Sequence, residues 1–186
     1  MQQKPYIVGI TGGTCSGKST LAKRLSESLP AEIVKVYHMD SYFLRPSPTT
    51  IAPITRKEYV EHNHPDSEDL PRLRADIRKE IEDNLYKVII IEGLFTLQDD
   101  EIRDMLDLKV FVDLLRDERI VRRIKRWMRG GESMDSITDR YLDTVRFRHD
   151  EFVEPSRWHA DMVINGTLPD KGVDMLLQYI LHEIEE

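Results

Sequence analysis

Three groups of residues in this chain have types and spacings that could do chemistry. The first is Gly12-Gly13-Thr14-Cys15-Ser16-Gly17-Lys18-Ser19, which fits G-x-x-x-x-G-K-[ST], a loop whose backbone N–H groups wrap phosphates at the positive end of a helix. In that setting Gly12, Gly13, Thr14, Cys15, Ser16, Gly17, Lys18, Ser19 and Thr20 would hold a nucleoside triphosphate, with Lys18 on the outer oxygens and the Ser19 hydroxyl facing Mg2+. The second group is a pair of acids, Asp40 and Glu92. Glu92 directly follows an apolar run and Asp40 lies just beyond another, where a carboxylate can help hold Mg2+ or take a proton from an acceptor hydroxyl. The alternative for both is an ordinary solvated acid in a turn.

The third group is a run of arginines. On a helical wheel Arg116, Arg119, Arg122, Arg123, Arg126 and Arg129 fill one arc, and Ile120, Val121, Ile124, Trp127 and Met128 fill the other. A solvated charged face on a core-packed helix is the plain account of such a run. Almost pure arginine in an acidic chain favours a second account, a lid turned toward phosphate, because the planar guanidinium suits phosphate oxygens. Gly130-Gly131 then offers a hinge at the end of a lid spanning residues 116–131. Cys15, the single cysteine, reads as a tolerated small residue of the loop and cannot form an internal disulfide.

The elements that must position these groups follow from hydrophobic spacing. Apolar runs at 6–10, 33–37, 88–91, 109–113 and 161–164 alternate with helical patterns at 20–29, 70–85, 99–106, 117–128, 134–152 and 173–184. The helix 134–152 is expected to stop before Pro155, and the stretch holding Pro46, Pro48 and Pro53 reads as a loop. Strand–helix alternation of this kind predicts an α/β fold: a three-layer P-loop NTPase domain over 1–186, with a five-stranded parallel sheet and a helical lid. Ligands of such sheets bind beyond the carboxyl ends of the strands, where the loop, Asp40 and Glu92 all fall.

Composition narrows the classes. The chain has 186 residues, 40% hydrophobic and 33% charged, with net charge −7, which suits a globular domain and supplies no general attraction to nucleic acid or anionic membrane. No apolar run approaches the ~20 residues of a membrane span. The N-terminal Met1-Gln2-Gln3-Lys4-Pro5 leads directly into a strand and lacks a signal peptide's apolar stretch. Together these fit a cytoplasmic protein with a small-molecule partner; a homo-oligomer is compatible with the composition. No Asn-Lys-x-Asp segment argues for a GTPase, and no Leu-Ser-Gly-Gly-Gln-like segment for a transporter ATPase.

These motifs resemble the uridine kinase/phosphoribulokinase group of P-loop kinases along most of the chain. Besides the loop, His38-Met39-Asp40-Ser41-Tyr42-Phe43 is similar to the family's aspartate-serine-aromatic segment, His64-Pro65-Asp66 to the uridine kinases' stretch beside the sugar, and Glu92-Gly93 to the strand-end Glu-Gly. Arg119, Arg122 and Arg123 match the lid pattern Arg-x-x-Arg-Arg, and Glu151-Phe152, Pro155 and 160–164 resemble the C-terminal signature. The resemblance implies an ATP- and Mg2+-dependent kinase acting on the 5′-hydroxyl of a nucleoside or related riboside. It implies Asp40 as general base and Lys18, Arg119 and Arg122 at the transferring phosphoryl group, with Arg126 also toward ATP. Ser19, Glu92 and Asp40 would serve the metal, and Phe43, His64, Asp66, Asp40 and Arg119 the acceptor. Asn165-Gly166-Thr167 would lie near the adenine.

The chain departs from the family at two places. Uridine kinases carry a long β-hairpin before the strand that ends in Glu-Gly, and residues 84–87 leave no room for one. Arg140 stands where those enzymes have a glutamine near the base. Other readings remain: a nicotinamide riboside kinase-like enzyme, a nucleotide or coenzyme kinase, or a non-catalytic nucleotide-binding switch.

Overall fold

The computed structural model describes residues 4–185. Met1, Gln2 and Gln3, read above as part of the lead into the first strand, lie outside the described residues. In chain order come β1 (Tyr6–Gly12), α1 (Lys18–Glu27), β2 (Val34–His38), a 3-10 turn (Met39–Tyr42), β3 (Thr49–Ile51), β4 (Glu58–Val60), a 3-10 turn (Pro65–Ser67), α2 (Leu70–Asp83), β5 (Val88–Glu92), α3 (Asp100–Arg103), β6 (Leu108–Asp113) and α4 (Arg116–Arg129). The remainder is α5 (Met134–Arg140), α6 (Arg146–Arg148), α7 (Glu154–Ser156), β7 (Met162–Asn165) and α8 (Asp170–Glu185).

Five strands form one parallel sheet in the order β2-β5-β1-β6-β7. Period-two alternation divides its side chains between two layers. Val8, Ile10, Val88, Ile90, Val110 and Val112 pack against Leu21, Leu25, Leu176 and Ile180 of α1 and α8. Ile7, Ile89, Ile91 and Phe111 face Leu73 and Ile77 of α2, Ile102 of α3 and Phe95 on the other side. The central strand β5 is buried at every position, which is why its sequence reads as a continuous apolar run rather than an alternating one.

Three features differ from the sequence expectation. The proline-bearing stretch contains an antiparallel hairpin, β3–β4, with Thr50 opposite Tyr59. Strands of three residues are too short to show a period. What stabilises them is distant in sequence: Asp143 accepts from Thr55 Oγ1 and Tyr59 Oη, both at 2.7 Å, and Arg148 reaches Glu61 and Thr50. The helix expected over 134–152 does not stop before Pro155. It runs on through two π-helical stretches, Tyr141–Val145 and His149–Val153, and Pro155 lies within α7, directly after the second of them.

The third is in α4, where only part of the arginine arc faces inward as the phosphate-facing account expects. Its only buried residues are Arg119 and Arg123, whereas Val121 and Met128 are half exposed. Arg119 and Arg123 turn inward while Arg116, Arg126 and Arg129 stay exposed, so it is cations that the helix buries, the reverse of ordinary amphipathic packing. Residues 84–87 join α2 to β5 directly, with Asn84 in the left-handed conformation at the helix end (φ 49°), so this connection has no hairpin.

Candidate active site

The phosphate loop runs from the end of β1 to the first turn of α1. Gly17 caps α1 without any side-chain hydrogen bond, and the first turn holds no acidic residue. The leading N–H groups of α1 and the Lys18 cation therefore present one positive, unneutralised pole, the condition for binding an anion. The loop is pinned by Ser16 N to Gly13 O at 3.0 Å and Leu21 N to Gly17 O at 2.9 Å. Cys15 sits within it at φ 60°.

Strand order brings the acids to this pole. β5 lies between β1 and β2, and the β2–β5 register sets His38 beside Glu92. Glu92, 3% exposed, accepts from Ser19 Oγ at 3.0 Å through one oxygen, and its other oxygen lies 2.8 Å from His38 Nδ1. A hydroxyl and a carboxylate oxygen sharing one hydrogen bond beside Lys18 is a donor set that fits a hard cation such as Mg2+. Among the described residues no three His, Cys, Asp or Glu side chains gather as a metal cluster, so such an ion would take its other ligands from phosphate and water, as Mg2+ does at nucleotide sites. Asp40 is exposed in the turn that follows β2. Together with Lys18 and Glu92 it acts electrostatically on the buried Glu68, so these groups share one neighbourhood.

The inward face of α4 closes the other side. Arg119 is 3% exposed; its Nε donates to Leu114 O at 3.1 Å, and Nη1 is buried without a partner. The guanidinium lies against Gly13 so closely that a Cβ there would meet Nη1 at 2.1 Å. With glycine at 13 the cation lies directly against the loop, and a side chain there would push it aside. Arg123, 5% exposed, donates to Thr14 Oγ1 at 3.0 Å and stacks on Trp127, its charge centre 4.3 Å from the ring centroid. Burial holds both guanidinium groups below their ordinary pKa, outweighing the opposing pull of Glu154 and Asp113 on Arg119 and of Glu132 on Arg123. Arg122 Nη1 donates to Gly166 O at 3.0 Å, tying α4 to the 165–167 loop. A Cβ on Gly166 would lie 2.2 Å from Ser16 O, so that loop touches the phosphate loop itself. Arg126 stacks on Trp127 and faces outward.

The acceptor-side residues are more scattered. Phe43 meets His62 edge-on at 5.0 Å, and His64 meets Phe152 at 4.6 Å. Asp66 has a side chain 88% exposed, and its backbone N–H donates to His64 Nδ1 at 3.1 Å; its carboxylate is not drawn in with Asp40 and Glu92. Arg140 pairs with Glu132 at 3.4 Å.

Sequence reasoning missed four groups in this region. Arg123 was visible in the lid pattern, yet only packing shows that it, rather than Arg126, lies against the loop. His38 could have been found from its place at the end of β2. Glu68 and His149 carried no signal. His149 lies against Gly13 with Nδ1 unpartnered and Nε2 3.2 Å from Glu154. Burial first, and the Arg119 charge second, push its pKa down to about 4. Glu154 is half exposed and screened, so it does not offset them.

A depressed His pKa is a stability statement with a definite sign. Between about pH 6.5 and about 4 the unfolded chain binds a proton at this ring that the folded chain does not. Stability from this group is therefore complete above about pH 6.5 and is lost as pH falls toward about 4. Urea melts across this window should show His149→Gln losing part of the wild-type acid slope. Parallel curves for the two proteins would show the ring is not held neutral.

Comparison with known proteins agrees with this geometry. Residues 55–173 match the model of the phosphoribulokinase / uridine kinase family. A uridine kinase of Clostridium tetani is 34% identical over 207 residues, covering 100% of this chain and 99% of that one. A uridine kinase of Lactobacillus helveticus is 32% identical over 209 residues, covering 97% and 98%. Both alignments run longer than the 186 residues of the chain, so the relatives carry positions that it lacks. Among solved structures, TT1252 from Thermus thermophilus superposes with a TM-score of 0.62 at 19% identity, over 97% of this chain and 98% of that one.

Proposed function

Because the chain belongs to the phosphoribulokinase / uridine kinase family, we propose that it is an ATP-dependent nucleoside kinase that phosphorylates the 5′-hydroxyl of a uridine- or cytidine-like riboside. The observation that carries this reading is the burial of Arg119 and Arg123 against Gly13 and Thr14. Buried cations with unpartnered N–H groups facing a phosphate loop are stabilised by phosphate and by little else.

In this reading the loop amides and Lys18 hold the β- and γ-phosphates. Ser19 and Glu92 would hold Mg2+, with Asp40 beside them, and the ion would neutralise charge between the outer phosphates. Asp40 takes the proton from the acceptor hydroxyl as its oxygen attacks the γ-phosphorus and the bond to ADP breaks. Arg119 and Arg122 stabilise charge on the moving phosphoryl group. Phe43 and His64 would line the acceptor side, while Asp66, exposed at its edge, and Arg126, stacked outward on Trp127, would have to turn in to reach the acceptor and the nucleotide.

The direct 84–87 connection removes an element that uridine kinases place near the base, which widens the range of base groups to be tested. A panel of uridine, cytidine, nicotinamide riboside, simple sugars and nucleoside 5′-monophosphates, read by ADP release and phosphate transfer, tests the reading. Turnover with one or more ribosides and none with monophosphates is expected. Turnover restricted to monophosphates would make the protein a nucleotide kinase, and ATP hydrolysis indifferent to every acceptor would remove the kinase reading.

A further inference from the structure

Glu68 has no role in the mechanism above, yet it is the least satisfied side chain of this rim. It is 4% exposed, and neither carboxyl oxygen has a hydrogen-bond partner. Its position is set by backbone pairing: Glu68 bridges Phe43 in antiparallel fashion, Leu44 N donates to Ser67 O at 2.9 Å, and Asp69 N donates to Tyr42 O at 2.8 Å. The segment carrying Glu68 is thereby clamped to the turn that carries Asp40. The charged groups that act on it are Asp40, Lys18 and Glu92, the groups assigned above to phosphoryl transfer.

A buried carboxyl without a partner weakens a fold, and a leucine or methionine in its place would pack without that cost. Unsatisfied groups of this kind concentrate where a ligand completes them. Lys18 faces the nucleotide, and Glu92 is already occupied by Ser19 and His38. The remaining newcomer to this neighbourhood is the molecule that brings its hydroxyl to Asp40.

We propose that Glu68 is a specificity-determining contact for the acceptor, its carboxyl hydrogen-bonding a sugar hydroxyl other than the one phosphorylated. This rests on the reading of the acceptor as a riboside. Burial, together with the Asp40 and Glu92 charges, pushes the carboxyl up to about 8. In either protonation state its oxygens can accept a hydrogen bond from a sugar hydroxyl. Both oxygens are closed to solvent, so the acceptor reaches them by displacing the short Asp40 turn, a modest rearrangement for a binding event.

The test uses Glu68→Met and Glu68→Gln in the full chain. Each is assayed with the riboside that the wild type phosphorylates and with its 2′- and 3′-deoxy analogues, alongside thermal melts. For Glu68→Met, acceptor KM should rise at least ~10-fold, the scale of one lost hydrogen bond to a buried group. Its KM for ATP should stay within about twofold, discrimination against one deoxy analogue should vanish, and Tm should rise by about 2–4 °C. Glu68→Gln, which keeps a donor and an acceptor, should retain most of the discrimination. Unchanged acceptor KM and discrimination in Glu68→Met would overturn the proposal while leaving the kinase reading intact. A lower Tm or failure to fold in Glu68→Met would make the carboxyl structural and overturn it equally. A wild type that phosphorylates no riboside would sink the kinase reading, and this inference with it.

Discussion

Asp40→Asn should lower kcat by at least ~10²-fold while ATP affinity stays near the wild-type value, the usual scale of general acid–base assistance. Three observations set this expectation. Asp40 lies in the turn after β2, at the carboxyl edge of the sheet and in the electrostatic neighbourhood of Lys18 and Glu92. Its side chain is exposed, and among the described residues no hydrogen bond or ion pair commits it to the fold. Asparagine preserves its size and one acceptor oxygen but cannot take up a proton. The melting temperature should therefore barely move, since exposed substitutions of this kind usually fall within about ±0.5 kcal/mol. Steady-state kinetics paired with calorimetric ATP titration separates the effects. A variant that keeps its turnover would remove Asp40 from the proton transfer, and one that loses ATP binding would reassign it to the nucleotide.

Arg119→Met should be at least as damaging to turnover, by ~10³-fold or more, the lower end of what an arginine at a transferring phosphoryl group contributes. The unpartnered Nη1 lies against Gly13, so its natural counterpart is an oxygen bound by the loop. Arg119→Lys should not restore the rate, because a lysine ammonium lacks both the planar fork and the second N–H that Leu114 O accepts through Nε. The folded state should respond in the opposite direction. Arg119 is buried with its pKa depressed by desolvation, and replacing a buried unpaired cation with an apolar side chain is neutral or stabilising. Arg129, exposed in the last turn of α4, provides the control, since Arg129→Met should change kcat by no more than a few-fold. Equal losses in Arg119→Met and Arg129→Met would mean the helix acts through overall charge, and the assigned contact would fall.

The two predictions draw on different kinds of information. Asp40 was legible in the chain because an acid just beyond a short apolar run needs only that run to be a strand to fall at the sheet edge. Arg119 was legible as one of six arginines on a helical arc, but nothing in the spacing separated it from Arg126. That depends on how far α4 is rotated against the loop, and the rotation is set by Gly13 leaving space, Trp127 accepting two cations on its faces and Arg122 anchoring to Gly166. The apolar arc of α4, which would ordinarily pack on a core, is left partly exposed. The helix breaks the usual amphipathic rule, and at a functional surface such a departure is where local patterning gives way to the ligand.

What the sequence determined by itself was local or nearly so. The glycine loop, the strand before it and the helix behind it are contiguous, and the alternation of apolar runs with helical spacing leads to a parallel sheet because short-range periodicity reports which face is buried. Tertiary structure alone decided what joins residues far apart. Strand order placed His38 and Ser19 on opposite oxygens of Glu92, the β3–β4 hairpin took its hold from Asp143 and Arg148, and the pairing of Phe43 with Glu68 buried a carboxyl beside Lys18. Those outcomes depend on burial and on partners tens of residues away, and a periodic pattern carries no information about either.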